Sequence, residues 1–386
     1  MRTLSGTDIV CFSNDWDGDP LSKTHLMRIL ARENRVLWVD SLGHRAPRVD
    51  VHDLRRAARK VRAAAGGLRE VEPRLHVLTP LYVPAYGSER VRRASRALVR
   101  FQVLRAMRRL GLARPVSWSF LPSAAGVAGS LGEELVIYHV VDEFSAFSDA
   151  DARVPALERE LLGRADLVLA SSVPLLAAKS ALHRRARLVR HGVDHAHFAR
   201  ALDPATPVPE DLARLRRPVI GFIGLLADWI DLALVRTVAD AHPRASVVLI
   251  GRAAAPLDAL VGAPNVHLLG HRPYELLPSY CRGFQVALTP FKLNALALSA
   301  NPLKAREYVA AGLPNVCTDL PELRATPGCT VAGSGSDFVA AVGRALLDGG
   351  GPRRERSDLV RGESWEARVE EIRGHVAELL DERRAA

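Results

Sequence analysis

The chain has 386 residues, 48% of them hydrophobic and 5% aromatic, with a formal net charge of +10 at pH 7. That length accommodates two domains of ordinary size, and that composition excludes a disordered or fibrous chain. No run reaches the ~18 consecutive apolar residues of a membrane span, and MRTLSGTDIVCF lacks a signal-peptide layout, so a cytoplasmic location is expected.

The elements read in chain order as strand and helix in alternation. DIVCFS from Asp8 is a first strand, Leu21 to Ala31 a helix and RVLWVD from Arg35 a second strand. The loop after the first strand carries Asp15, Asp17 and Asp19; in a Gly- and Pro-rich turn such acids are ordinarily turn formers, and their D-W-D spacing also resembles a metal-binding D-x-D. Strands follow at LHVLTP from Leu75, PVSWSF from Pro115 and LVIYHVV from Leu135, with a helix over Glu89 to Leu110. A helix near Pro155 to Arg164, the strand ADLVLASS, a helix from Pro174 to Leu182 and RLVRHGVD complete a doubly wound sheet. The polar, proline-rich ALDPATPVPEDLARLRRP then reads as a linker.

After it the pattern restarts. PVIGFIG, SVVLIG, VHLLG and FQVALTP are strands, with helices over Leu232 to Ala241 and Tyr274 to Arg282. CTVAG, a helix from Ser336 to Leu347 and an amphipathic helix from Trp365 to Leu380 close the chain. The expected division is residues 1–200, a linker 201–217, a second domain 218–350 and a returning helical segment 351–386.

Four cysteines, Cys11, Cys281, Cys317 and Cys329, form no C-x-x-C pair and sit in apolar runs, which favours buried thiols over disulfides or a metal centre. Only five of the 53 basic residues are lysines: Lys23, Lys60, Lys179, Lys292 and Lys304. Basic runs at Arg55, Arg56, Arg59, Lys60 and Arg62, and from Arg90 to Arg109, fall on helical patterns; solvated helix faces are one reading and an anionic membrane surface the other. No nucleic-acid partner is expected.

The most informative stretch is SANPLKAREYVAAGLPNVCT, Ser299 to Thr318. Asn301 is a good N-cap, Pro302 suits a first helical turn, and Gly312 stops the helix ahead of a short strand. Lys304 and Glu307 lie three apart in its first two turns. They either form an ordinary i,i+3 ion pair or hold a phosphate and sugar hydroxyls at the helix N-terminus.

Together these segments resemble the GT-B glycosyltransferases, and among them the large family-4 group whose members mostly transfer sugars with retention. The marks are ADLVLASS with RHGVDHAHF, VIGFIG with Gly224, and VHLLGHRPYELLPSYCRGFQVALTPF leading into NPLKAREYVAAGLPNV. The resemblance implies an α/β fold of two Rossmann-like domains with parallel sheets facing an interdomain cleft, the first for acceptor and the second for nucleotide sugar. It implies a metal-independent reaction and no cofactor, with a nucleoside-diphosphate sugar as co-substrate, UDP-sugars favoured over GDP-sugars. The acceptor would be a glycan, a lipid-linked sugar or a secondary metabolite, with peripheral contact at the inner face of a membrane as a further expectation.

Carried over by position, Glu307 matches the glutamate that holds ribose hydroxyls, while its usual partner seven residues earlier is here Ser299. The basic pair common after the second domain's first strand is replaced by Asp228 and Trp229, leaving Lys304 for the diphosphate, with Arg252, Lys292 or Arg272 as helpers. His271 and Arg272 fall in a loop near the nucleobase in relatives. Asn301 and Pro302 supply the turn beside the donor sugar. Asp142, at the end of YHVV, is placed to orient an acceptor hydroxyl or contact the donor sugar, or else is a turn acid. His139 reads as a core histidine ahead of a sugar contact, and Asp194 as structural. A sugar-nucleotide epimerase or a silent sugar-nucleotide-binding protein of the same fold are the alternative functions.

Overall fold

A computed structural model describes residues 4–41, 67–82 and 88–385, with side chains to 382. The basic run from Arg55 to Arg62 lies outside these. The chain divides into two compact units, residues 1–190 with 368–386, and residues 191–367.

The first unit is built on an eight-stranded sheet. Its strands are β1 (Asp8–Phe12), β2 (Arg35–Val39), β3 (Leu68–Glu72), β4 (Leu75–Leu78), β5 (Val116–Ser119), β6 (Leu135–Val140), β7 (Leu167–Ala170) and β8 (Ala186–Leu188). Their order is β3-β4-β2-β1-β5-β6-β7-β8. The central strands are short and buried on both faces, as a parallel sheet covered by helices requires. Val10, Phe12, Leu37, Val39, Tyr138 and Val140 meet Val99, Val103 and Met107 of the helix Glu89–Leu110 on one side. Strand β3 departs from the expected all-parallel pattern: it pairs antiparallel with β4 across the turn at Pro73 and Arg74, where Arg74 has φ 65°. Its sequence LREVE carries charge on an exposed edge, which hides it from an apolar-run reading and blunts the edge against other strands.

The second unit holds β9 (Val219–Ile223), β10 (Ser246–Ile250), β11 (Val266–Gly270), β12 (Val286–Thr289), β13 (Asn315–Thr318) and β14 (Cys329–Ala332). The order β11-β10-β9-β12-β13-β14, parallel throughout, is that of the dinucleotide-binding doubly wound sheet. In each unit the direction of winding reverses beside its first strand, between β1 and β5 and between β9 and β12. At such reversals the loops leaving the carboxyl ends of two strands diverge and open a crevice.

Residues 201–217 are not a spacer in this structure. Ala201 and Leu212 are fully buried in the second core with Val219, Tyr280 and Phe284, and Glu210–Ala213 is a helical turn. Its prolines and charges read as linker because they coat one face, while the two apolar residues anchor the other. The second unit accordingly begins at His191.

Candidate functional site

In the second unit the short helix Ala295–Ser299 and the helix Leu303–Ala310 follow β12 across the winding reversal. The N-cap of the second helix is Pro302, not Asn301. Asn301 is buried, and its Oδ1 accepts from Arg306 Nη1 at 2.6 Å, so its side chain is drawn to a cation instead of the helix backbone. Arg306, 1% exposed, also donates through Nε to Glu363 Oε2 at 2.6 Å. A buried guanidinium holding the turn before the helix and a glutamate 57 residues on fixes the helix entry from two sides.

Lys304 Nζ meets Glu307 Oε2 at 2.6 Å, with side chains 29% and 10% exposed. The i,i+3 pair is therefore formed, in a half-buried setting where water screens it less than on an open face. Glu307 also lies within electrostatic reach of His197, whose ring stacks on Tyr274 at 4.3 Å. Tyr308 ties the helix to the end of β9: its hydroxyl accepts from Ile223 N at 2.6 Å and donates to Ile223 O at 3.2 Å.

The residue after Ile223 is Gly224, and its backbone is approached by Gly251 at the end of β10. Gly251 has φ 150°, and a Cβ there would stand 1.7 Å from the Gly224 carbonyl oxygen. Gly251 was not read from the sequence as a site residue; a glycine ending an apolar strand was the available signal. Ser299 is half-buried at the close of its helix. Arg252, Lys292 and His271 are exposed. Arg272 is committed elsewhere: Nη2 donates to Asp211 Oδ2 at 2.7 Å and Nε to the Tyr280 hydroxyl at 2.7 Å. These bonds hold its pKa above the ordinary arginine value, and they bind the guanidinium to the 201–217 segment.

At the reversal of the first sheet lies a group only partly anticipated. Lys23, in the first turn of the helix Ser22–Ala31, is 5% exposed; its Nζ donates to Asn14 Oδ1 at 2.9 Å and stands 6.0 Å from the Phe120 ring centre. Phe120 stacks on His139 at 5.0 Å, and Trp118 lies 6.2 Å from the same imidazole. Burial pushes the Lys23 ammonium below its usual pKa, and Asp142 opposes that. Burial likewise raises Asp142 to about 6, with Lys23 pulling it back, and lowers His139 to about 3. Ser13 Oγ, Ser119 Oγ, Trp118 Nε1 and both His139 ring nitrogens are buried with no hydrogen-bond partner among the described residues. Sequence reading passed over Lys23, although the scarcity of lysine that singled out Lys304 applied equally to it.

Asp17 pairs with Arg69 Nη2 at 2.7 Å, and among the described residues no group of three His, Cys, Asp or Glu is arranged to hold a metal. Asp194 caps the helix His195–Phe198, accepting from His197 N at 3.0 Å.

Residues 217–348 match the family described as Glycosyl transferases group 1. A Bacillus subtilis (strain 168) protein with the provisional name teichuronic acid biosynthesis glycosyltransferase TuaH is 24% identical over 238 residues. The match covers 57% of this chain and 58% of the length of that relative. Among solved structures, the sucrose-phosphate synthase of Thermosynechococcus elongatus superposes with a TM-score of 0.68 at 15% identity, covering 97% of this chain and 99% of that one. An Escherichia coli trehalose-6-phosphate protein bound with UDP-2-fluoro glucose does so at 0.66 and 15%, with the same coverage. The likeness to both is one of fold.

Proposed function

From a chain whose residues 217–348 form a glycosyl transferases group 1 domain within a GT-B fold, we propose a glycosyltransferase that moves a sugar from a nucleoside-diphosphate sugar to an acceptor hydroxyl. The observation that carries this is the half-buried Lys304–Glu307 pair in the first turns of a helix at the winding reversal of the matched domain.

Lys304 and the helix N-terminus receive the diphosphate; Glu307 turns from Lys304 to the ribose hydroxyls. The C1–O bond to the diphosphate breaks with its electron pair on the phosphate as the acceptor oxygen bonds C1 and yields its proton to the departing phosphate, and fixed positive charge stabilises what builds there without a metal. The close backbone approach at Gly224 and Gly251 admits the pyrophosphate, the loop of His271 and Arg272 borders the base, and Ser299 with the Asn301–Pro302 turn meets the sugar. Exposed Arg252 and Lys292 remain as helpers, whereas Arg272 contributes through its backbone. The group around Lys23, His139 and Asp142 in the first unit seats the acceptor. We read the transfer as retaining and the donor as a UDP-sugar before a GDP-sugar; the UDP-2-fluoro glucose named in the E. coli structure supports that order. The provisional name of the B. subtilis relative supports a glycan among the acceptors.

Kinetics across a panel of nucleotide sugars test the reading. Lys304→Ala is expected to lower turnover by roughly 10²-fold or more while leaving calorimetric nucleoside-diphosphate affinity closer to wild type. Glu307→Gln chiefly raises the donor KM, an effect that shrinks with a 2′,3′-dideoxyribose donor. Folded variants that turn over and bind like wild type overturn the donor site. Donor epimerisation without acceptor, or binding without turnover, overturns the transferase reading.

A further inference from the structure

The helix Glu89–Leu110 buries Val99, Val103, Ala106 and Met107 and leaves the opposite face open. That face is not the polar surface expected of a helix on a soluble domain. Phe101 is 55% exposed, Leu98 and Val91 each 40%, and Leu81, whose backbone N and O are both held by the Gln102 side chain, 47%. At 100° per residue Leu98, Phe101, Arg105 and Arg108 share one side, and Arg90 and Arg109 border it.

The charge on this helix is almost all of one sign: eight arginines against Glu89. Glu89 is already paired with Arg92 and Arg93, Arg96 reaches Glu160, and Arg100 donates to the Ser130 carbonyl. Arg90, Arg105, Arg108 and Arg109 are exposed and have no ion pair or hydrogen bond among the described residues.

We propose that the face of Leu98, Phe101, Arg105 and Arg108 docks on an anionic phospholipid surface, Phe101 and Leu98 entering the headgroup boundary and the arginines meeting lipid phosphates. An apolar centre ringed by exposed arginines matches that surface in both terms, since aromatic insertion and basic charge together give reversible interfacial binding. A second copy of the chain does not match: the same face turned on itself would bring arginines against arginines. Among the described residues no helix is long and apolar enough to cross a membrane, so attachment by this face is peripheral.

The test is flotation of the full chain with phosphatidylcholine vesicles and with vesicles containing phosphatidylglycerol, at low and high salt. Binding is expected to the anionic vesicles alone and to weaken with salt. Arg105→Glu with Arg108→Glu should reduce partitioning by about 10²-fold or more, from about fivefold per basic charge. Phe101→Ala should reduce it by roughly threefold to tenfold. Unchanged circular dichroism melting confirms that both variants fold. Absence of wild-type binding, indifference to lipid charge, or binding that survives the charge reversal each overturns the proposal. So does a wild-type dimer that Phe101→Ala dissociates without any vesicle binding, which would make the face a contact between copies.

Discussion

The ends of β9 and β12 in the second unit meet a network with its bonds made, whereas the ends of β1 and β5 in the first meet polar atoms without a partner among the described residues. Tyr308 both accepts from and donates to Ile223, Arg306 divides itself between Asn301 and Glu363, and Arg272 is held by Asp211 and Tyr280. Ser13, Ser119, Trp118 and His139 make no such bonds around Lys23. Within the second unit, among the described residues, the one buried side-chain polar atom without a partner is His242 Nε2, at the amino end of β10 and away from the reversal. A buried polar atom without a partner costs about 1–3 kcal/mol. The second unit thus resembles a finished frame that positions backbone and two charged side chains. The first keeps buried polar atoms that no described residue engages.

That contrast breaks most visibly at Arg306. Arg306→Met removes the cation of a buried cluster and strands Asn301 and Glu363, and is expected to lower the unfolding free energy by about 3 kcal/mol or more in urea denaturation. A variant as stable as wild type would show that the second unit does not depend on this network.

Next in size is a pH effect in the first unit. With Asp142 near 6, the acceptor kcat/KM should rise with pH through that value as the carboxylate forms. Lys23→Met removes the opposing charge at nearly constant volume, leaves burial unbalanced, and should move the limb upward by about one unit. A limb that stays in place would separate Lys23 from Asp142.

The smallest effects sharpen the contrast. Ser119→Ala deletes a hydroxyl with no partner among the described residues, so stability should hold or rise, against the loss expected at Arg306. His139 is neutral when folded, down to about pH 3, and protonates near 6.5 when unfolded. Wild type should therefore lose stability as pH falls from 6.5 towards 3, and His139→Phe should lack that part of the loss in melts across the range. Equal slopes would place the acid sensitivity in other groups.

Much of the fold was legible because it depends on local pattern. The runs of β1, β2, β6, β7, β9, β10 and β12 are short and largely apolar, and the helices between them carry caps and stops such as Ser88 and Gly111 at the ends of Glu89–Leu110. Lys304 and Glu307 were legible as a pair because three residues of helix place them together. What failed was non-local. Asn301 has the right side chain for a cap, yet Arg306 engages it; Arg306 is itself fixed by Glu363, which no spacing rule reaches. Strand β3 is held by pairing with β4 and not by its own apolarity. Lys23 and His139 meet only because β1, β5 and β6 are neighbours in the sheet, an adjacency that follows from topology and leaves no trace in the spacing of residues 23 and 139.

The first unit is made of two stretches of chain, residues 1–190 and 368–386. The second stretch contributes buried Val369, Ile372, Val376 and Leu379, and it is bound through Arg373 to Glu33 and through Glu382 to Arg185. On the ribosome this unit is begun before the second unit and finished after it. Roughly 180 residues intervene before its final helix is translated, which at ~5–20 residues per second is a wait of about 10 to 40 seconds. Through that interval the apolar surface awaiting the helix is open to chaperones and to neighbouring nascent chains, while the second unit, encoded without interruption, folds in the order in which it emerges.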